Sequence, residues 1–206
     1  MSDIVILGAG KFAVELASYL RDIEPQACIR FLALADQSCA GALPLEAWPE
    51  HELDARHRYV LGVTEIALRQ QLIDRYFSDG RLQAPNFIHP DARHHLDLTH
   101  SRGNVIATHS YLGVNVQLGS WNMINYHCCL GHHSILGDNN FLSPMFNAGN
   151  SVTLGSRGFY GLSAVVTPLT VVGDDVTVQA GVALSELIPE GVHCSSTARQ
   201  KIIQLV

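Results

Sequence analysis

The residues best equipped for chemistry fall in one ten-residue stretch, Asn125-Tyr126-His127-Cys128-Cys129-Leu130-Gly131-His132-His133-Ser134. A neutral imidazole takes up a proton or ligates a metal near neutral pH. His132 and His133 are candidates for proton transfer, the His127-x4-His132 spacing is the metal-ligand alternative, and His127 otherwise reads as part of a neutral side-chain ladder. Cys128 and Cys129 raise covalent catalysis or metal binding, but nothing around them marks an activated thiolate. The competing reading is structural, with imidazoles on a solvated edge and one thiol acting as a small buried hydrophobe. A second candidate is Gly8-Ala9-Gly10, a turn between a strand and a helix where backbone N–H groups can approach a phosphate.

The elements that must position these residues differ in the two halves of the chain. The first half reads as α/β. Ile4 to Leu7 is a short buried strand, and Lys11 to Arg21 a helix with Phe12, Leu16 and Leu20 on one face. Ile29 to Ala35 forms a second strand that ends at Asp36, Tyr59 to Val63 a third, and Glu65 to Phe77 a second helix. This alternation predicts a parallel sheet. The glycine-rich turn lacks the third glycine of a dinucleotide fingerprint, since Ala13 stands there. About 85 residues are also too few for two mononucleotide halves, so a redox dinucleotide site is not expected.

From Ile106 onward every sixth residue belongs to one series: Ile106, Leu112, Leu118, Ile124, Leu130, Leu136, Leu142, Ala148, Leu154, Tyr160, Val166, Val172 and Val178. Glycine follows the lead residue in eight of these 13 hexads, where a background of ~7% predicts about one. Four residues after each lead sits a mostly small side chain, among them Asn122, Cys128, Ser134 and Asn140, with Phe146 the exception. A strict period of six excludes a helix, whose pattern drifts at 3.6 residues per turn. It predicts a solenoid in which one apolar residue per hexad points inward, glycine turns a corner, and the small residue fills the next corner. Coils of this kind bury their faces only against one another.

Composition narrows the function classes. The net charge of −6 argues against nucleic acid as the main partner. No apolar run reaches the ~18 residues of a membrane span. Charged residues make up only 16% of the chain and aromatics 7%, while mean hydropathy is +0.14. Such a chain folds, but covers itself with small neutral side chains. Five cysteines without a CxxC spacing, behind an N-terminus with no signal features, predict reduced thiols in a cytoplasmic protein.

The run LGVNVQ-LGSWNM-INYHCC-LGHHSI-LGDNNF-LSPMFN-AGNSVT-LGSRGF-YGLSAV resembles the hexapeptide-repeat family of left-handed parallel β-helices. In that family three hexads make one triangular coil, so the resemblance implies that residues 18 apart stack, with His109 beneath His127 and Met145 above it. With its Gly-Ala-Gly domain ahead of the repeats, the whole chain resembles sugar O- and N-acyltransferases of the NeuD/PglD type, which use acetyl-CoA on nucleotide-linked amino sugars or sialic acids. The resemblance implies a Rossmann-like nucleotide-sugar-binding domain over residues 1–85 and a left-handed β-helix acyltransferase domain over 86–206. It also implies a homotrimer with the active groove between neighbouring helices.

Site residues follow by the same resemblance. His132 falls on the family's general base, and His133 on the position that usually carries Asp or Glu. An imidazole there supplies no negative charge to orient the base. Gly8, Gly10, Lys11, Asp36 and Arg69 would frame the sugar nucleotide. Phe141, Gly149, Asn150, Gly161, Ala180 and Arg199 would line the acetyl-CoA site. The tail aligns with a Gly-x-Pro-Ala-Arg ending in which Ser195 and Thr197 replace Gly and Pro. Two alternatives stay open. One is a catalytically degenerate sugar-nucleotide-binding or scaffold protein. The other is a zinc hydrase resembling γ-class carbonic anhydrases, motivated by His127-x4-His132 and requiring a third histidine.

Overall fold

The computed structural model describes residues 3–33, 45–47 and 53–196. Asp36, Cys39 and Arg199 lie outside these residues. The N-terminal elements are β1 (Ile4–Leu7), α1 (Lys11–Ile23), β2 (Ile29–Ala33), β3 (Leu45–Ala47), β4 (Arg58–Leu61) and α2 (Ile66–Phe77). The four strands form one parallel sheet in the order β3-β2-β1-β4. Strand β3 was not expected from the sequence. β1 is buried along its whole length, as suits a central parallel strand.

Two-residue strands then wind a three-sided parallel solenoid. Its first face holds seven strands, from Phe87–Ile88 to His193–Cys194. The second holds six, from Arg93–His94 to Ala183–Leu184, and the third five, from Gln117–Leu118 to Leu187–Ile188. Partners along each face are 18 residues apart, as in Met123 with Phe141 and Ile135 with Thr153. The spacing falls to 16 in the last coil, where Val172 pairs with Ile188 and Val178 with Cys194. Every lead residue from Ile106 to Val178 is buried. The exceptional Phe146 is also inside, its ring 5.0 Å from that of Tyr160.

The corners are turned differently from the sequence expectation. The fourth residue of each hexad, not the glycine, takes the left-handed conformation, from His109 (φ 58°) through His133 (φ 60°) to Asp175 (φ 56°). Only the last of these corners uses glycine, Gly181. His, Asn and Asp tolerate this region better than most side chains, which accounts for His109, Asn115, His127, His133, Asn139 and Asp175 at corners. The glycine in the second position of the hexad serves stacking instead. A Cβ on Gly131 would lie 2.5 Å from the Gly149 carbonyl oxygen, and one on Gly113 would lie 2.8 Å from the His132 nitrogen. The obstruction is backbone of the next coil, which cannot swing aside. Gly131→Ala is therefore expected to lower stability by roughly 3 kcal/mol, the upper end of overpacking costs, read as a shift in the denaturation midpoint.

The scarcity of charge has its counterpart inside the coils. Asn86, Asn104, Asn122 and Asn140 stack as a ladder at one interior corner. The Oδ1 atoms of Asn104 and Asn122 accept from the backbone N–H of the asparagine one coil on (2.8 and 2.9 Å), and Asn140 Oδ1 accepts from Gly158 (2.7 Å). Their Nδ2 groups donate to the carbonyls of Gly119, Gly137 and Gly155. Neutral amides satisfy the buried backbone there, as burial demands.

The two halves share their cores. Helix α1 covers the first face, where Phe87, Val105, Met123 and Phe141 pack with Ala13, Leu16 and Leu20. Trp121 enters the core beneath α2, its ring 4.6 Å from that of Phe77. Among the described residues no helix is long and apolar enough to cross a membrane.

Candidate functional site

His132 and His133 occupy the corner between the second and third faces, and both side chains are exposed. Their rings stand nearly perpendicular (88°), with the two Nδ1 atoms 2.9 Å apart. Directly beneath, Asn115 Nδ2 lies 3.0 Å from His133 Nε2. One coil above, Ser151 N–H donates to the His132 carbonyl (2.9 Å). Gly149 and Asn150 belong to that same upper coil, so four of the expected residues gather at this corner.

His127 lies one corner earlier, across the strand Cys129–Leu130. Its ring centroid lies 5.1 Å from that of His109, the two planes tilted by 50°, and both are left-handed corner residues. The 127/132 pair thus straddles two corners. Among the described residues no three His, Cys, Asp or Glu side chains converge as metal ligands. Cys128 is buried, and its thiol donates to the Ser143 carbonyl (3.3 Å). Burial pushes its pKa up to about 12 and also raises that of Cys129, so both thiols stay protonated at neutral pH. That fits a packing role for Cys128.

Gly161 and Ala180 stack at the corner between the first and second faces, where a Cβ on Gly161 would lie 2.5 Å from the Ala180 nitrogen. They flank the upper part of the second face, which Gly149 and Asn150 bound on its other side. Phe141 departs from its expected role. It is buried on the first face, its ring 5.3 Å from Phe12 and stacked at 5.6 Å on Phe159. α1 covers it, so its apolar bulk joins the two halves and is closed to a cofactor.

At the β1–α1 turn, Gly8 has φ 129°, and a Cβ there would lie 2.8 Å from the Gly62 carbonyl oxygen. Gly10 is the N-cap of α1, and a Cβ there would meet nothing within 4 Å. Lys11 is exposed in a first helical turn that carries no acidic residue. That helix end is electrostatically suited to an anion. The start of α2 is not, because the Glu65 carboxylate already accepts from Leu68 N–H (3.0 Å).

Arg69 also departs from expectation, being 2% exposed. Its Nε donates to Asn139 Oδ1 (3.0 Å), Nη1 to the Val63 carbonyl (3.1 Å), and Nη2 to the Trp121 carbonyl. Burial lowers its pKa to about 10, which leaves it charged at neutral pH. The guanidinium ties α2 to the corner between the third and first faces and is closed to a nucleotide. Beside it lies a cleft of about 730 Å³ lined by Thr64, Glu65, Gln70, Arg157 and Phe159. Arg157 is already ion-paired there with Asp174 (3.0 Å) and Asp175 (2.8 Å). The sequence had not marked this cleft, whose lining combines a helix start with left-handed corner residues.

This is the architecture of a three-sided parallel β-solenoid carrying an N-terminal α/β unit. No family profile and no curated protein sequence matches the chain. Among solved structures, the acetyltransferase domain of PglB from Neisseria gonorrhoeae aligns over 94% of this chain and 96% of its own, with TM-score 0.82 and 23% identity. A mutant of perosamine N-acetyltransferase from Caulobacter crescentus, in complex with CoA and GDP-perosamine, aligns over 94% and 93%, with TM-score 0.81 and 24% identity. WeeI from Acinetobacter baumannii aligns over 97% and 99%, with TM-score 0.82 and 17% identity. The chain therefore shares their fold over nearly all of its length.

Proposed function

We propose that this protein is an acetyl-CoA-dependent acyltransferase acting on the amine or hydroxyl of a nucleotide-linked amino sugar or a related surface sugar. The observation that carries the reading is His132, an exposed imidazole whose Nδ1 is held by a neighbouring ring, on a fold shared with structures solved with acetyl-CoA and with CoA plus GDP-perosamine. Fold alone does not confer a reaction, so the site carries the argument.

His132 acts as general base at Nε2. The sugar nitrogen or oxygen attacks the thioester carbonyl and gives its proton to His132. A backbone N–H stabilises the tetrahedral oxyanion. Collapse breaks the carbon–sulfur bond, and the proton on His132 passes to the departing CoA sulfur. The products are an acetylated sugar and CoA thiol, with His132 neutral again. Gly149 and Asn150 line the acyl-donor end above His132, and Gly161 and Ala180 continue it along the second face.

The sugar nucleotide is bound by residues 1–85, a Rossmann-like unit in which Gly8, Gly10 and Lys11 present the open end of α1 to the diphosphate. Residues 86–206 are the left-handed acyltransferase helix. Three copies associate with the groove between them, supported by exposed apolar side chains on the second and third faces, including Tyr111, Val165, Ile135, Val171 and Leu187. With acetyl-CoA and a sugar nucleotide as substrates, the reading assigns the acyltransferase to the cytoplasm.

His133 in place of an acid favours one rival, a sugar-nucleotide-binding protein without catalysis. Thermal denaturation separates them, because a ligand stabilises the state that binds it. Acetyl-CoA at 100-fold over its Kd is expected to add about 2.7 kcal/mol, roughly 5–10 °C in Tm for a chain of this size. A response to nucleotide sugars with none to acetyl-CoA would favour the rival.

A further inference from the structure

Two nitrogens of neighbouring imidazoles facing each other at 2.9 Å share one proton, because two lone pairs repel and two N–H groups collide. The His132–His133 pair therefore has two neutral arrangements. If His133 carries its proton on Nδ1, it donates to His132 Nδ1, and the outer His132 Nε2 must hold a proton and cannot act as a base. If His133 carries it on Nε2, His133 Nδ1 accepts from His132 Nδ1–H and leaves His132 Nε2 with a free lone pair. The choice is made at His133 Nε2, 3.0 Å from the carboxamide of Asn115. With Nδ2 toward the ring, Asn115 donates and selects the first arrangement. Turned end for end, it presents Oδ1, accepts, and selects the second. The two ends of a carboxamide have nearly the same shape, so either fits the same space.

We propose that Asn115 is a positioning residue for the general base, setting the tautomer of His132 through His133. The base-competent relay takes the carboxamide turned end for end from the orientation with Nδ2 toward His133 Nε2; it then runs Asn115 Oδ1 ← H–Nε2 His133 Nδ1 ← H–Nδ1 His132, with Nε2 left open to the substrate. It supplies through a neutral relay the acceptor that a carboxylate at position 133 would provide directly. The inference deepens the proposed function and rests on it for its catalytic meaning. The residues stacked on the pair carry no titratable side chain: Val114 and Asn150 lie below and above His132, and Asn115 and Ser151 below and above His133. The relay is thus governed by the amide and not by a nearby charge. An exposed asparagine at a left-handed corner would otherwise need no explanation beyond its φ of 58°.

That backbone angle supplies a clean test. Asn115→Gly removes the side chain at a φ that glycine adopts freely, and Asn115→Asp keeps an acceptor while removing the donor. Nitrogen NMR of the whole protein with isotope-labelled histidine reads the tautomers directly, with the His132 signal assigned from its loss in His132→Gln. The expected result is His132 protonated at Nδ1 in the native protein and in Asn115→Asp, and a mixture in Asn115→Gly. Turnover in Asn115→Gly is expected to fall roughly three- to tenfold, the worth of one hydrogen bond, with KM values unchanged. In Asn115→Asp turnover recovers, and the acidic limb of the kcat profile moves to higher pH, because the new negative charge favours the imidazolium. Native His132 protonated at Nε2, or a His132 tautomer indifferent to Asn115→Gly, would overturn the proposal. The NMR measurement needs no turnover, so this inference and the acyltransferase reading fail separately.

Discussion

Replacing His132 with alanine is expected to lower acetyl transfer at least a hundredfold, the usual scale for a lost acid–base group, while leaving the unfolding transition in place. The side chain is exposed and fills no interior slot; the left-handed corner residue is its neighbour His133. Removing the ring therefore costs the corner little. The loss should appear in kcat, because the imidazole meets the attacking proton only as the bond to the thioester forms. Residual turnover would come from substrate positioning and from the oxyanion's backbone donor. A variant with native turnover would remove His132 from the mechanism.

Arg69→Leu is expected to have the largest effect on stability. Leucine would leave Asn139 Oδ1 and the Val63 and Trp121 carbonyls without their shared donor in a buried interface. Unpaired buried acceptors cost about 1–3 kcal/mol each, and the partial recovery from apolar burial leaves a net loss of roughly 3–5 kcal/mol. The interface between α2 and the solenoid would open first. Denaturant unfolding followed by the fluorescence of Trp121, whose ring lies 4.6 Å from Phe77 beneath α2, reports on that interface. A normal unfolding midpoint combined with lost nucleotide affinity would restore Arg69 to the ligand site.

Arg69 also marks the limit of what the sequence makes legible. An arginine near the start of an amphipathic helix reads as a surface cation. Its acceptors lie six, 52 and 70 residues away and include two backbone carbonyls, which leave no trace in residue type. Phe141 is similar. In the repeat it occupies an outward position, and only the docking of α1 buries it.

The solenoid was legible because each coil imposes the same demand six residues later. The repeat reveals the glycines, but their task is stacking and not corner-turning. Their φ values are ordinary, and the close approach of the next coil is what excludes a Cβ. The left-handed corners went unnoticed because residues as different as Trp121, Arg157 and Leu169 occupy them. Stacking at 18 residues predicts the His109–His127 ladder and, by the same arithmetic, pairs Asn115 with His133. The tandem histidines were visible in the sequence. That their Nδ1 atoms meet, and that an amide stands behind them, required coordinates.

The central claim is acetyl transfer from CoA to a sugar nucleotide, and the most direct measurement follows both products at once. The protein is incubated with acetyl-CoA and a panel of nucleotide-linked amino sugars, with free CoA thiol recorded by colour and the sugar nucleotide by mass. Saturable thiol release that needs one of these sugars, matched by an acetylated product, is the predicted result. Folded protein that binds acetyl-CoA yet releases no thiol and acetylates no member of the panel would contradict it.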